Sequence, residues 1–142
     1  MQCSEIMKKD VVCLNLRDTV QVAAIRMRDA NIGFLPVIEA SGKVLGTLTD
    51  RDIAIRLVAE DRSASSCAVE EVMSREVVAC RPTDELGHAE VLMAEHKKSR
   101  MLITNEDGYL EGVLSLSDVA RMEGARRTAS TMRQVTSREG RL

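Results

Sequence analysis

The second half of the chain repeats the first without a gap, at an offset of 66 residues. Laying Glu5–Ala54 over Glu71–Ala120 gives 12 identities in 50 positions. Unrelated stretches of average composition would share about 3. The matches include Met7/Met73, Asp18/Asp84, Ala23/Ala89, Met27/Met93, Gly42/Gly108, Gly46/Gly112, Leu48/Leu114 and Asp52/Asp118. Conservative pairs such as Ile6/Val72, Val37/Ile103 and Thr49/Ser115 fill the spaces. Such a chain is constrained to two copies of one unit, and to two copies of whatever site the repeated acid serves. A copy of about 55–60 residues buries too little surface to be comfortably stable alone. The two are therefore expected to share an interface about an internal pseudo-dyad.

Each copy reads as β-α-β-β-α. In the first, Val11–Leu14 is a β-branched stretch read as a strand. Arg17-Asp18-Thr19 supplies N-cap chemistry for a helix from Val20 to about Ala30, whose Val20, Ala23, Ala24, Met27 and Ala30 share one face. Strands over Phe34–Glu39 and Lys43–Leu48 flank the Ala40-Ser41-Gly42 turn, and a second helix runs from Thr49 or Asp50 to about Glu60. The second copy follows suit, with a strand at Val77–Cys80 and a helix near Leu86–Lys97. Strands at Arg100–Asn105 and Tyr109–Leu114 come next, then a helix from Ser115 or Leu116 to about Arg126. The expected fold class is α+β: two tandem repeats, at residues 1–62 and 63–126. Residues 127–142 are read as a polar basic tail, disordered or frayed helix. From Arg121 onward six arginines stand against two glutamates. Such a short basic stretch is ordinarily just solvated.

Composition removes several function classes. A net charge of −2 gives no overall drive toward nucleic acid or acidic membranes. No apolar run is long enough to span a bilayer, and the N-terminus lacks a signal-peptide core, so a cytoplasmic location is expected. Cys3, Cys13, Cys67 and Cys80 form no C-x-x-C pair and only two histidines accompany them, so no metal site is expected. Cys13 and Cys80 lie in apolar strand-like segments, where reduced cysteine behaves as a small hydrophobe; a disulfide through Cys3 or Cys67 stays open. His88 and His96, eight apart on one helix, are read as lacking a carboxylate or cysteine at ligand spacing. With one Tyr, one Phe and no Trp, the core is aliphatic, and a bound base would be gripped by aliphatic side chains rather than stacked. No P-loop, G-x-G-x-x-G, H-E-x-x-H or nucleophile–histidine pair is present in the sequence, so an enzyme is not expected.

Chemistry concentrates at two matched junctions, Gly46-Thr47-Leu48-Thr49-Asp50-Arg51-Asp52 and Gly112-Val113-Leu114-Ser115-Leu116-Ser117-Asp118. Each places a hydroxyl at a strand-to-helix boundary and an Asp one turn later. A hydroxyl beside free helix-start N–H groups suits a phosphate, and an acceptor-only carboxylate suits a ribose diol. Phosphate with ribose means a nucleotide. The same spacing is equally a capping box, which satisfies orphan N–H groups and binds nothing.

The repeat, the Phe34-Leu35-Pro36-Val37-Ile38 strand and the Gly-x-x-Thr/Ser-x-x-Asp junctions resemble a pair of cystathionine-β-synthase (CBS) domains, a Bateman module, over about residues 3–123. The resemblance implies a pseudo-symmetric pair whose central cleft holds up to two ligands, commonly AMP, ADP or ATP, and in some members S-adenosylmethionine or NAD. Carried over, it nominates Thr49 and Asp52 for one site and Ser115 and Asp118 for the other. Adenine would lie among Val12, Cys13 and Pro36, or Val78, Ala79 and Leu102, while Arg51 and Arg100 could meet phosphate. Cys13, Ala79, Leu102 and Arg100 depart from the family pattern. The implied function is a stand-alone sensor that signals adenosyl occupancy to an effector protein in trans or through a homodimer built on Ile53, Ile55 and Val119. The alternative is a ligand-free structural or dimerisation domain whose motifs are only caps. A nucleic-acid role is not expected.

Overall fold

A computed structural model describes residues 1–122 and 125–137. Its elements in chain order are α1 (Val20–Ala30), β1 (Phe34–Ile38), β2 (Val44–Thr49), α2 (Asp50–Ile53), β3 (Ala79–Cys80), α3 (Leu86–His96), β4 (Arg100–Thr104), β5 (Leu110–Ser115), α4 (Leu116–Met122) and α5 (Ala125–Thr136). Among the described residues no helix is long and apolar enough to cross a membrane.

The repetition extends to backbone detail. In both hairpins, β1–β2 and β4–β5, the register starts from equivalent pairs, Phe34 with Thr49 and Arg100 with Ser115. Both shift register at the same place, Val37/Ile38 and Ile103/Thr104. Both hairpin turns close on a left-handed glycine, Gly42 (φ 97°) and Gly108 (φ 88°), where a side chain would be strained. α1 and α3 each stop at a left-handed residue, Asn31 and Lys97.

The chain packs as two compact units, one of which takes in the N-terminal segment of the chain. A central unit spans Val12–Val77, and a composite unit joins Met1–Val11 to Val78–Leu142. The cause is main-chain pairing beyond the local sequence. In the composite unit Lys8 and Val113 exchange two N–H···O bonds of 2.9 Å, and the Cys3 N–H donates to the Asp84 carbonyl at 2.9 Å. In the central unit Ser74 and Thr47 exchange the equivalent pair at 2.9 Å, and the Val69 N–H donates to the Asp18 carbonyl at 2.7 Å. Glycine permits both approaches. A Cβ on Gly112 would sit 2.9 Å from the Lys8 carbonyl and 2.8 Å from Met7 Sδ, and one on Gly46 would collide with the Ser74 carbonyl.

Each unit has its own aliphatic core. In the central unit Leu14, Val20, Ala23, Leu35, Val37, Leu48 and Val69 are fully buried. In the composite unit Cys3, Cys80, Ala89, Met93, Met101, Ile103, Leu114 and Val119 are. All four cysteines are free thiols.

Four sequence expectations need correction. The Val11–Leu14 strand reduces to a single parallel bridge between Leu14 and Val37. Its neighbour Pro36 has no N–H to extend the ladder, and the Cys13 carbonyl is taken by Arg26 Nη1 at 2.8 Å. In the twin, Leu102 stands at that place, and β3 pairs there through Ala79. The helix expected to run to Glu60 stops as α-helix at Ile53 and continues as a π-helical turn over Ala54–Val58, closed by the Ala59 N–H on the Ala54 carbonyl at 2.9 Å. Val119 is core and Ile53 packs against the central core, so of the three residues assigned to a dimer surface only Ile55 is exposed. The expected tail contains α5, which packs on α3 and buries Thr131 and Val135 four residues apart. Thr131 is polar, so this buried face does not read as apolar in the sequence. Residues 138–142 lie outside the described residues.

Gly112→Ala should lower stability by about 1–3 kcal/mol, the usual cost of overpacking, read as a fall in the urea midpoint. Gly33→Ala is the contrast, because its added Cβ meets only the Asp50 side chain, which can swing away. Equal midpoints for both variants would contradict the glycine contact. Val135→Ala should cost about 1–2 kcal/mol through lost burial. An unchanged midpoint would mean that α5 does not dock in solution.

Candidate functional site

β2 runs directly into α2 and β5 into α4, so the last strand residue of each is also the helix start. At the first junction the Asp52 N–H donates to Thr49 Oγ1 at 3.1 Å, and the Thr49 N–H donates to Asp52 Oδ2 at 3.0 Å. At the second the Asp118 N–H donates to Ser115 Oγ at 3.1 Å, and the Ser115 N–H to Asp118 Oδ2 at 3.1 Å. Both motifs are therefore reciprocal capping boxes, the plainer of the two readings the sequence allowed. In each the cap uses only one carboxylate oxygen, Oδ2. Asp52 Oδ1 lies 3.7 Å from Arg56 Nη2, and Arg56 is tethered through Nη1 to the Val72 carbonyl at 2.9 Å. Ser115 and Asp118 are buried, and Ser115 Oγ also shares a 2.9 Å hydrogen bond with Ser117 Oγ. Thr49 and Asp52 are only half-buried. The two sites are alike in backbone but not in solvation.

The remaining nominated residues distribute between the units. In the central unit Pro36 is buried in β1, Cys13 is half-buried and Val12 exposed. Burial pushes the Cys13 thiol up, with Arg26 partly opposing it. Arg51 is exposed, and its N–H donates to Asp50 Oδ1 at 2.8 Å. In the composite unit Val78 packs against the core and Ala79 pairs with Leu102 across β3–β4. Arg100 is the cross-strand partner of Ser115, and its guanidinium donates to the Ser99 carbonyl at 3.2 Å. The second hydroxyl thus has an arginine as its cross-strand partner, where the first unit has Phe34 opposite Thr49.

One cluster was missed from sequence. The donor atoms of Cys80, Asp84 and His88 all lie within 4.8 Å of one another, which corrects the reading that His88 has no carboxylate or cysteine within reach. The signal was available as Cys80-x-x-x-Asp84-x-x-x-His88 across a strand, turn and helix start. Cys3 and Cys80 are buried in the same core cluster. The Cys80 thiol pulls that of Cys3 down, while Cys3 and burial push Cys80 up.

The CBS domain profile matches residues 3–59 and 69–123. The CBS domain-containing protein YhcV of Bacillus subtilis is 39% identical over 116 residues, covering 82% of this chain and 81% of its own. Other relatives are longer, and the chain spans only 24% of one and 23% of another. Among solved structures, Hypoxic Response Protein I, described with two coordinated zinc ions, superposes with a TM-score of 0.79 at 27% identity, over 87% of this chain and all (100%) of that one. The CBS domain pair of protein MJ0100, in complex with 5′-methylthioadenosine and S-adenosyl-L-methionine, superposes at 0.77 with 22% identity, over 86% of this chain and 94% of that one. With both repeats matched and the α+β architecture in place, the chain belongs to the CBS-domain family.

Proposed function

We propose that the chain is a ligand-binding regulatory module that takes adenosyl ligands of the AMP, ADP or ATP class, with S-adenosylmethionine and NAD as related candidates. The observation that carries the reading is the pairing. A hydroxyl and a carboxylate one turn apart are held by the same two hydrogen bonds at equivalent positions of both units. Because the cap occupies only Oδ2, the second oxygen of Asp52 and of Asp118 keeps acceptor capacity for ribose hydroxyls. Thr49 and Ser115 would lie near phosphate, with Arg51 and Arg100 as the nearby cations. Adenine would lie against Val12, Cys13 and Pro36 in one unit, and Val78 and Ala79 in the other. Support at the level of fold comes from the MJ0100 pair, which holds two adenosyl compounds. Occupancy would reach a second copy of the chain or an effector protein in trans, and only as far as the ligand's affinities for two conformations differ.

A second reading has its own observation: within each motif the hydroxyl and the carboxylate already satisfy one another's main-chain N–H as a cap, as a ligand-free structural or dimerisation domain requires. The two separate by thermal shift with AMP, ADP, ATP, S-adenosylmethionine and NAD in turn. At a hundredfold excess over Kd, a true ligand should add about 2.7 kcal/mol of stability. Asp52→Ala and Asp118→Ala, which remove the N3 half of each capping box, should each cost about 1 kcal/mol or less and should also shrink the ligand-induced shift measured from each variant's own baseline. No shift with any of the five in wild type, or a shift that survives both substitutions, favours the structural reading.

A further inference from the structure

We propose that Cys80, Asp84 and His88, completed by Cys3, form a binding site for a divalent transition-metal cation, with zinc the best match to the donor set. The site lies wholly within the composite unit and does not depend on the adenosyl reading.

Four segments converge on it. Cys80 ends β3, Asp84 sits in the turn that follows, and His88 lies in the first turn of α3. Asp84 is oriented by the Arg81 N–H, which donates to its Oδ2 at 2.8 Å, and His88 Nε2 lies 4.0 Å from the same oxygen. Cys3 is brought in by the main chain: its N–H donates to the Asp84 carbonyl and the Ser4 N–H to the Pro82 carbonyl, both at 2.9 Å. Its side chain is buried in the same core cluster as Cys80. The two sulfurs are buried, Asp84 is half-buried and His88 is exposed, so the cluster opens to solvent on its imidazole side.

The other repeat is an internal control. At the equivalent offset, Cys3, Cys80 and His88 are replaced by Val69, Leu14 and Val22, and only the acid is kept, as Asp18. Asp18 is likewise oriented by a main-chain donor, the Asn15 N–H at 2.9 Å, but its charge is met by Arg26 at 3.1 Å. In the composite unit Leu92 stands where Arg26 would be, and the Asp84 carboxylate instead faces the His88 imidazole and the Cys80 thiol. The fold packs equally well with Val and Leu at the two cysteine positions: Val69 and Leu14 are as buried as Cys3 and Cys80. Packing alone thus does not call for sulfur here.

The donors are two sulfurs, one imidazole nitrogen and one carboxylate oxygen, a borderline-soft tetrahedral set that suits zinc and not calcium or magnesium. Metal–ligand bonds of about 2.0–2.3 Å place tetrahedral donors roughly 3.3–3.8 Å apart. The Cys80, Asp84 and His88 donors, now within 4.8 Å of one another, need to contract by about an ångström to reach that spacing, the exposed His88 side chain has room to swing inward, and the Cys3 thiol has to turn toward them. Binding would displace the thiol protons to solvent, so affinity should rise with pH.

The test incubates the reduced full chain with zinc chloride, removes the excess by desalting, and measures retained metal. Cobalt(II) serves as the spectroscopic probe in parallel. Cys3→Val, Cys80→Leu and His88→Val install the residues that the twin carries. Wild type should retain about one zinc per chain, as one tetrahedral site requires, and the cobalt form should show thiolate-to-metal charge-transfer absorption. His88→Val changes an exposed position and should keep the apo fold, yet weaken zinc by more than the roughly 10–100-fold that loss of a supporting group costs. Cys80→Leu should abolish most of the charge-transfer band. Wild type that holds no zinc and gives no such band overturns the proposal. So do variants that match wild type in both readouts.

Discussion

Two glycines with no room for a side chain set up the rest of this molecule. At Gly46 and Gly112 the main chain of another segment, Ser74 or Lys8, comes so close that any Cβ would meet its carbonyl. The paired N–H···O bonds that result tie the segment around Ser74 onto β2 and the N-terminal segment onto β5. Backbone groups buried in this way must be matched donor to acceptor, so the register of both hairpins is held at once. The strand-to-helix junctions follow two or three residues later, and their caps inherit that positioning. This is why the two junctions agree in hydrogen-bond pattern although their surroundings differ in burial and charge.

The junctions show how one arrangement serves two purposes. A cap needs one hydroxyl and one carboxylate oxygen, and a carboxylate has two. The capped state therefore does not consume the acid; it orients it. The cost is that geometry at the junction alone does not separate a ligand site from a well-made helix start, since both want the same atoms in the same places. What the proposal leans on is duplication of the same hydroxyl–carboxylate pair at equivalent positions in both units.

Much of this was legible in the sequence. Period-3.6 apolar positions place α1 over Val20–Ala30 as expected, and the Gly42 and Gly108 turns place both hairpins to within a residue or so at each end. Reading failed where a distant or stereochemical partner decides. Pro36 withholds an N–H and cuts the first strand to one bridge; Leu102 does not. The composite unit is invisible to a linear reading because Lys8 and Val113 are far apart in sequence. Val119 looked like a surface residue because a short helix has too few positions to define a face. At the candidate site, the Thr49–Asp52 and Ser115–Asp118 spacing was legible, but spacing carries no information on which oxygen caps. The Cys80, Asp84 and His88 spacing was present yet crosses a strand, a turn and a helix, so no single periodicity reveals it; Cys3 arrives only through tertiary structure.

The central claim is that Asp52 and Asp118 hold the sugar of an adenosyl ligand while still capping their helices. A crystal structure of the chain grown with AMP tests it most directly. Ribose hydroxyls should lie about 2.5–3.0 Å from a carboxylate oxygen of Asp52 or Asp118, with the Thr49 and Ser115 capping bonds kept. AMP bound elsewhere, or absent at saturating concentration with both carboxylates touching only their own main chain, would contradict it.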